Sequence, residues 1–227
     1  MKPRHIIRNG LLVGAIGVIS FYLLDHPPEV GRCEHYQPAP QPLIAHAGGG
    51  LPNATYTNSM RAMETAASHG FRLIELDFWL TQKGLALGHD RNHLSTVTFE
   101  QLLDFLRRHP DISIVTDFKD DNLQGLRRIA ELAGPMQQRF IPQIYDLEDF
   151  RPVMAMGLPT PIFTAYRSWS LGWVFRANSV PVRAVTMPYN QRHLARLIDH
   201  PVYLHTVNSP TPGYGLYTDC LIPAPVA

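Results

Sequence analysis

From Leu43 to the C-terminus, short apolar runs alternate with amphipathic helical patterns, and this alternation is the strongest constraint on the fold. Eight runs have the length and apolar character of buried strands. These runs are Leu43–Ala47, Arg72–Phe78, Ile112–Phe118, Phe140–Tyr145, Pro161–Tyr166, Ala184–Tyr189, Val202–Val207 and Gly215–Thr218. The helical stretches between them are Asn58–His69, Phe99–His109, Asn122–Ala133, Leu147–Met156, Leu171–Ala177 and Gln191–Asp199. The pattern predicts an α/β fold, a compact closed (β/α)8 TIM barrel of parallel strands.

An open, doubly wound sheet is the alternative fold for the same alternation. A GxGxxG turn after the first strand would favour that sheet, and the sequence has none. Residues 43–227 are few for a barrel, which typically takes about 250 residues. The connection Ser209–Tyr214 is too short for a normal helix, so we expect an abbreviated last crossover.

The first 24 residues differ in character from the rest of the chain. Three basic residues, Lys2, Arg4 and Arg8, precede the uncharged run Leu11–Leu24, a pattern typical of export signals. At about 1.5 Å per residue this run makes roughly 21 Å of helix, shorter than the ~30 Å hydrocarbon core of a bilayer. Because no small-residue cleavage site follows Leu24, we predict an N-terminal hydrophobic helix that acts as a signal anchor. A cleaved signal and a buried core helix are the alternatives.

A proline-rich linker over residues 25–42 joins this segment to one domain at residues 43–227. The basic residues before the apolar run keep the N-terminus in the cytoplasm, so the domain is expected on the extracytoplasmic, periplasmic side of the membrane. It would be secreted if the signal is cleaved. In an oxidising compartment Cys33 of the linker and Cys220, the only other cysteine, could form a disulfide; two unrelated thiols are the alternative.

The charge balance and the cysteines exclude several classes of protein. The chain has 20 Lys and Arg against 19 Asp and Glu, a net charge of +1, whereas proteins that bind nucleic acid usually carry a basic excess. We therefore expect no nucleic-acid partner. Two cysteines without a CxxC spacing exclude a disulfide-stabilised miniprotein and a zinc ribbon.

Two carboxylates, Glu75 and Asp77, lie two residues apart in a predicted strand. Side chains alternate along a strand, so both point to one face, which in a barrel is the interior. Two buried carboxylates repel each other and lose their hydration, and a divalent cation relieves both costs. Oxygen ligands suit Mg²⁺ or Ca²⁺. An exposed or salt-bridged strand is the alternative.

The end of the third predicted strand repeats this arrangement with Asp117 and Lys119. Both residues share a face, and barrel enzymes place their sites at this end of the strands. Asp117 could give the same cation a third carboxylate, and Lys119 could bind an anionic group beside it. A simple Asp–Lys ion pair is the alternative.

Two histidines lie near these carboxylates in the predicted fold. His46 ends the first strand just before Gly48-Gly49-Gly50, and His89 follows Asp77 by 12 residues. They could act as the base and the acid of a phosphoryl or acyl transfer. The glycines would let backbone N–H groups approach an anion. Structural roles for both histidines are the alternative.

Taken in order, these motifs make residues 43–223 similar to the glycerophosphodiester phosphodiesterases, a family of (β/α) barrels. The family's opening His-Arg-Gly reads His46-Ala47-Gly48 in this chain, and its Glu-x-Asp motif reads Glu75-Leu76-Asp77. The other matching segments are Thr57-Asn58-Ser59, His89-Asp90, Asp117-Phe118-Lys119, Thr206-Val207-Asn208 and Thr218-Asp219. The chain departs from the family at Ala47, where an arginine meets the phosphate, at Thr57, where a glutamate stands, and at Asp117, where a longer glutamate stands.

The resemblance implies a metal-dependent phosphodiester hydrolase acting on a glycerophosphodiester-like, lipid-linked or polymer-linked substrate. Glu75, Asp77 and Asp117 would hold one divalent cation, Mg²⁺ or Ca²⁺. Catalysis would fall to His46, His89 and Lys119, and substrate binding to Gly48 and Asn58. Two other functions remain open: a lyase that cyclises a phospholipid head group, and a phosphodiester-binding module without catalysis.

Overall fold

The structure of the chain is a computed structural model that describes residues 42–166, 172–209 and 211–220. The predicted anchor at residues 1–24, Cys33 and the linker up to residue 41 lie outside these ranges, so they stay predictions. Within the described ranges, no helix combines the length and the apolar character needed to cross a membrane.

Eight parallel strands form a closed barrel, as the sequence predicts. They are β1 Leu43–Ala45, β2 Leu73–Thr81, β4 Ser113–Phe118, β5 Phe140–Ile144, β6 Ile162–Thr164, β7 Ala184–Pro188, β8 Val202–His205 and β9 Gly215–Thr218. The ring closes because β1 pairs with both β2 and β9. This pairing excludes the open sheet. A further strand, β3 Gly84–Leu87, was not predicted; it forms an antiparallel hairpin with β2.

Among the described residues, five α-helices lie between the strands: α1 Met60–Ser68, α2 Phe99–Arg108, α3 Asn122–Leu132, α4 Phe150–Ala155 and α5 Gly172–Asn178. The first three begin at the N-cap residues Ser59, Thr98 and Asp121, whose side chains accept a hydrogen bond from a backbone N–H of the first turn. Short 3-10 helices cover His46–Gly48, Gly134–Arg139, Leu147–Asp149 and Tyr189–Leu197.

The two last crossovers are shorter than the others. The helix predicted over Gln191–Asp199 is instead the 3-10 helix Tyr189–Leu197, none of whose residues is fully buried. Its apolar residues Tyr189, Leu194 and Ala195 are only partly buried against the core. Because most α-helices depend on burying an apolar face, this segment has less of that support. Between β8 and β9 the described residues form no helix, which agrees with the abbreviated last crossover.

Strand alternation divides the apolar residues into two layers. Ile74, Leu76 and Phe78 of β2 point outward into the large core between the barrel and its helices. Away from the carboxyl ends of the strands, a smaller apolar cluster fills the barrel interior. Its residues are Ile44, Val115, Ile141, Ile162, Ala184 and Tyr217. The inward positions of β2 then continue from Leu73 to Glu75 and Asp77, so the interior changes from apolar to acidic toward the carboxyl ends of the strands.

Gly125 of α3 allows this helix to pack closely against β4. A Cβ atom at residue 125 would overlap the ring of Phe118, which is itself buried and stacked on Phe78 with ring centroids 5.2 Å apart.

We predict that Gly125→Ala destabilises the domain by about 1–3 kcal/mol, because overpacking outweighs the gain in helix propensity. Gln124→Ala, an exposed neighbour on the same helix, is the control and should change stability by less than about 0.5 kcal/mol. Urea unfolding measures both, and a Gly125→Ala variant as stable as the parent would contradict this account of the packing.

Candidate metal and acid–base site

Three carboxylates meet inside the barrel at the carboxyl ends of β2 and β4. Glu75 and Asp77 are fully buried, and Asp77 is the register partner of Asp117 on the neighbouring strand. One oxygen from each lies within 4.8 Å of the others, and no fourth metal-ligating side chain joins them among the described residues. Parallel register therefore brings together the carboxylates that the sequence analysis grouped.

The donor set fits a hard divalent cation. Oε1 of Glu75 is buried and has no hydrogen-bond partner, which is costly unless a cation or a proton satisfies it. Burial and the neighbouring charges of Asp77 and Asp117 raise the pKa of Glu75 well above its usual value. A cation at this cluster would keep Glu75 ionised and would be held by oxygen ligands alone, as Mg²⁺ and Ca²⁺ prefer.

Lys119 neutralises part of this charge. Its Nζ lies 2.6 Å from Oδ1 of Asp77 and 2.7 Å from Oδ2 of Asp117. Although burial would lower the pKa of Lys119, the two carboxylates raise it, so the side chain is a permanent cation. Three carboxylates and one ammonium leave two negative charges, which matches a divalent ion.

Two further side chains fix the carboxylates in place. Asn58 donates from Nδ2 to Oδ2 of Asp77 (2.7 Å) and accepts at Oδ1 from the Asp77 N–H (2.8 Å). Tyr145 donates its hydroxyl proton to Oδ1 of Asp117. The predicted substrate contact of Asn58 stays a prediction, because the structure commits both polar groups of its side chain to Asp77.

The turn after β1 places His46 and Ala47 against the same cluster. Ala47 adopts a left-handed conformation (φ 49°, ψ 39°), and its backbone N–H donates to Oε2 of Glu75 at 2.6 Å. Gly48 has a φ of 87°, and a Cβ there would touch Ala62 and Leu76. Gly48 thus allows a tight turn packed on α1, and its role in substrate binding stays a prediction.

His46 is oriented by a buried carboxylate from the far end of the chain. Its Nδ1 lies 2.9 Å from Oδ1 of Asp219, and its Nε2 lies 4.0 Å from Oε2 of Glu75. Asn208 holds Asp219 in turn, accepting from its N–H at 2.8 Å and donating to its Oδ2 at 3.3 Å. An ionised carboxylate only accepts hydrogen bonds, so Nδ1 carries the proton and the Nε2 lone pair faces the carboxylate cluster.

His89 approaches the cluster from the rim. It follows β3, its Nδ1 lies 3.4 Å from Oδ2 of Asp77, and its side chain is 48% exposed. The ring of Tyr56 lies between the two histidines, with centroids 4.8 Å from His46 and 4.6 Å from His89. A buried, oriented histidine and a solvent-accessible one thus flank the carboxylates, as a base and an acid acting on one substrate would require.

A third histidine, His205 at the end of β8, also faces the site. Its ring contacts those of His46 and Tyr217, with centroids 4.6 Å and 4.7 Å apart. Burial and the nearby groups His46, Lys119 and His89 lower the pKa of His205 well below its usual value. His205 is therefore neutral at neutral pH and adds no charge to the site.

Sequence reasoning did not assign roles to four of these residues: Tyr56, Tyr145, His205 and Asp219. Tyr145 and Asp219 were detectable in principle, because Tyr145 ends one predicted strand and Asp219 directly follows another, and His205 lies near the end of a third, where barrel sites lie. Tyr56 carried no such signal. Cys220 is fully buried next to Asp219, whereas Cys33 lies outside the described residues, so their disulfide stays a prediction.

Comparison of this geometry with known proteins gives one clear result. No family model and no curated protein sequence match the chain. Solved structures do match, among them a glycerophosphodiester phosphodiesterase from Parabacteroides distasonis with a TM-score of 0.58 and 16% identity, over 78% of this chain and 92% of that one. The chain has the fold of the glycerophosphodiester phosphodiesterases. The resemblance inferred from the sequence motifs is confirmed at the level of the fold.

Two further phosphodiesterase structures have the same fold. One from Thermotoga maritima has a TM-score of 0.56 and 16% identity, over 82% of this chain and 97% of that one. The phosphodiesterase of Oleispira antarctica, solved with the product sn-glycerol-3-phosphate, has a TM-score of 0.56 and 10% identity, over 80% and 93% of the two chains. At these identities the comparison establishes the fold, and the chemistry must be argued from the site.

Removal of one carboxylate tests the metal site. We predict that Asp77→Asn lowers the affinity for Mg²⁺ and Ca²⁺ by about 100-fold or more, because the variant loses one of three anionic ligands. The fold should survive, since asparagine has the same shape and the loss of one like charge relieves repulsion. Calorimetric titration measures the affinity, with the exposed Asp104→Asn as the matched control. Unchanged affinity in Asp77→Asn would rule out the assignment of these ligands.

Proposed function

We propose that this protein is a metal-dependent phosphodiester hydrolase that cleaves a glycerophosphodiester-like, lipid-linked or polymer-linked substrate by two-histidine acid–base catalysis. The observation that carries the proposal is the placement of His46 and His89 on either side of the carboxylate cluster Glu75, Asp77 and Asp117. The fold shared with glycerophosphodiester phosphodiesterases supports the reaction class. The Oleispira antarctica structure with bound sn-glycerol-3-phosphate supports the substrate class.

His46 is assigned as the general base. Asp219 accepts the Nδ1 proton, which leaves the Nε2 lone pair free to take a proton from the attacking hydroxyl. Asp219 also stabilises the imidazolium that forms. Because Asp219 acts through His46, it is a positioning residue.

His89 is assigned as the general acid. Its exposure lets it exchange protons with solvent, and its Nδ1 lies 3.4 Å from Oδ2 of Asp77. A protonated His89 at the rim can pass its proton to the leaving oxygen as the P–O bond breaks. Lys119 contributes fixed positive charge next to the phosphoryl oxygens.

Glu75, Asp77 and Asp117 would hold a divalent cation, which would supply Lewis-acid polarisation of the phosphate when bound. The chain's own groups set up this binding: Ala47 N–H and Lys119 offset the carboxylate charge, and Asn58 and Tyr145 keep Asp77 and Asp117 from rotating. The Tyr145 contact holds the Asp117 side chain, which is one methylene shorter than the glutamate that the family resemblance implies at this position.

The two-histidine mechanism predicts a split between substrates with good and poor leaving groups. His46→Ala and His89→Ala should each lower kcat about 10²–10⁴-fold on an alkyl phosphodiester, with a much smaller effect on KM. An aryl leaving group needs no proton, so it should restore turnover in His89→Ala and leave His46→Ala impaired. Losses in the double variant should not add, because both residues serve one transition state.

Asp219→Asn extends the same experiment to the positioning residue. It should lower kcat on both substrates, as His46→Ala does, and leave metal affinity unchanged. Phosphorus NMR of the products separates hydrolysis from formation of a cyclic phosphate. If both histidine variants turn over the alkyl substrate at nearly the parental rate, the mechanism is wrong.

We also propose that the N-terminal segment anchors the enzyme with its barrel on the extracytoplasmic side of the membrane. Cys220 directly follows Asp219, which touches His46, so a Cys33–Cys220 disulfide would attach the linker beside the mouth of the barrel. Leu24 precedes Cys33 by nine residues, a reach of at most about 30 Å. The mouth would then lie close to the bilayer, which favours a lipid-linked substrate.

Salt extraction tests the anchor. The full-length chain should stay with the membrane fraction after a high-salt wash, because screening does not release an apolar span. The variant that begins at Asp25 should appear in the soluble fraction and serves as the control. Recovery of the full-length product outside the membrane with an N-terminus beyond Leu24 would instead indicate a cleaved signal.

A further inference from the structure

The connection between β1 and α1 has a strained backbone at three residues, and all three lie at the candidate site. They are Ala47 (φ 49°), Tyr56 (φ 58°) and Asn58 (φ 48°), the residues other than glycine with a positive φ in the described part of the chain. Left-handed backbone is uncommon for residues with a side chain and concentrates at functional sites. Ala47 and Asn58 hold Glu75 and Asp77 through hydrogen bonds. At Tyr56 the strained backbone instead places an aromatic ring between the two histidines.

The ring of Tyr56 separates His46 from His89. Its centroid lies 4.8 Å from that of His46, with the two ring planes at 88°, and 4.6 Å from that of His89. Tyr56 is 36% exposed, so a substrate can reach it. In the proposed reaction one histidine acts on the attacking oxygen and the other on the leaving oxygen, so the phosphorus atom lies between them. A group between the two histidines therefore borders the phosphoryl group.

The hydroxyl of Tyr56 is a protonated hydrogen-bond donor. Partial burial and the charges of Asp219 and Asp77 raise the pKa of Tyr56, and a hydrogen bond with Thr206 offsets only part of this increase. A hydrogen bond that lowers the pKa of a phenol is one that the phenol oxygen accepts, so Thr206 donates and the Tyr56 proton stays available. Oγ1 of Thr206 can accept in turn from Nδ1 of His205, 2.9 Å away.

The proposed substrate has an oxygen to which no donor of this chain has been assigned. A phosphodiester has two non-bridging oxygens, and Lys119 lies on the carboxylate side of the site, where its Nζ contacts Asp77 and Asp117. The family resemblance implies an arginine at residue 47 that meets the phosphate, and this chain has the fully buried Ala47 there. Hydrogen-bond donors aimed at the charged oxygens of a transition state are a large part of catalysis. Tyr56 offers such a donor beside the phosphoryl group.

We propose that the Tyr56 hydroxyl donates a hydrogen bond to a non-bridging oxygen of the phosphodiester and so takes the place of the arginine that is absent at residue 47. Tyr56 is then a catalytic residue, and Thr206, which acts through it, is a positioning residue. The Tyr56 proton is not transferred, because the hydroxyl only stabilises the charge on the oxygen that it touches. The inference rests on the proposed function, since it adds a residue to the same site.

Tyr56→Phe tests the proposal, because it keeps the ring between the histidines and removes only the hydroxyl. The substrates are the methyl and the 4-nitrophenyl esters of sn-glycerol 3-phosphate. Tyr56→Phe should lower kcat/KM about 10²-fold on both esters, since the hydroxyl acts on the phosphoryl oxygen and not on the leaving group. Tyr203→Phe removes a hydroxyl beside the apolar cluster, away from the carboxylates, and should leave both rates unchanged. A loss that the 4-nitrophenyl ester restores, as expected for His89→Ala, would mean that Tyr56 only positions His89 and would overturn the proposal.

Sulfur substitution identifies the oxygen that Tyr56 contacts. Sulfur in place of one non-bridging oxygen gives two diastereomers of the 4-nitrophenyl ester, and sulfur is a weak hydrogen-bond acceptor. Tyr56→Phe should slow the diastereomer that keeps oxygen at Tyr56 about 10²-fold and the other less than about threefold. An equal loss on both diastereomers would indicate a structural effect of the substitution and would contradict the proposed contact.

The outcomes separate this inference from the proposed function. Parental rates in Tyr56→Phe would overturn the inference and leave the hydrolase intact, whereas a parent enzyme that cleaves neither ester with Mg²⁺ or Ca²⁺ would overturn the proposed function. Calorimetry with the methyl ester then decides the role of Tyr56 without turnover. A hydroxyl that meets the phosphate should make the parent bind this ester about tenfold more tightly than Tyr56→Phe does, and equal affinities exclude the contact.

Discussion

The burial of three carboxylates inside a closed barrel is the constraint on which the rest of this structure depends. Unpaired ions in such an interior would cost several kcal/mol each, so the surrounding chain is arranged to compensate them. Lys119 supplies a charge, Asn58 an amide, and the strained turn at Ala47 a backbone N–H. Two negative charges and an unsatisfied oxygen of Glu75 remain, and together they fit a divalent cation.

Closure of the barrel converts this charged interior into a candidate catalytic site. Strand β1 pairs with β9, and this pairing brings His46 against Asp219, 173 residues away in sequence. Asn208, in the connection between β8 and β9, fixes Asp219. The orientation of His46 therefore depends on the last strand of the domain, and an incomplete barrel would leave the ring free to rotate.

The candidate site extends to one side of the barrel mouth. A cavity over β4, β5 and β6 shares Asp117, Lys119 and Tyr145 with the carboxylate cluster. Tyr145 thus belongs to both, because it donates to Asp117 and forms part of the cavity wall.

The sequence by itself determined the barrel and the shared face of Glu75 and Asp77. It also predicted that Asp117 and Lys119 join these two carboxylates. Both results follow from simple rules, the alternation of side chains along a strand and the common direction of parallel strands. It left the roles of Asp219 and Tyr145 undetermined. Each of these acts through a partner from another strand or loop, such as His46 for Asp219 and Asp117 for Tyr145. It also predicted a helix over Gln191–Asp199, where the structure has a 3-10 helix that buries none of its residues. Only the tertiary structure decides such contacts and burial, because they depend on the register of the closed ring, and no single segment encodes that register.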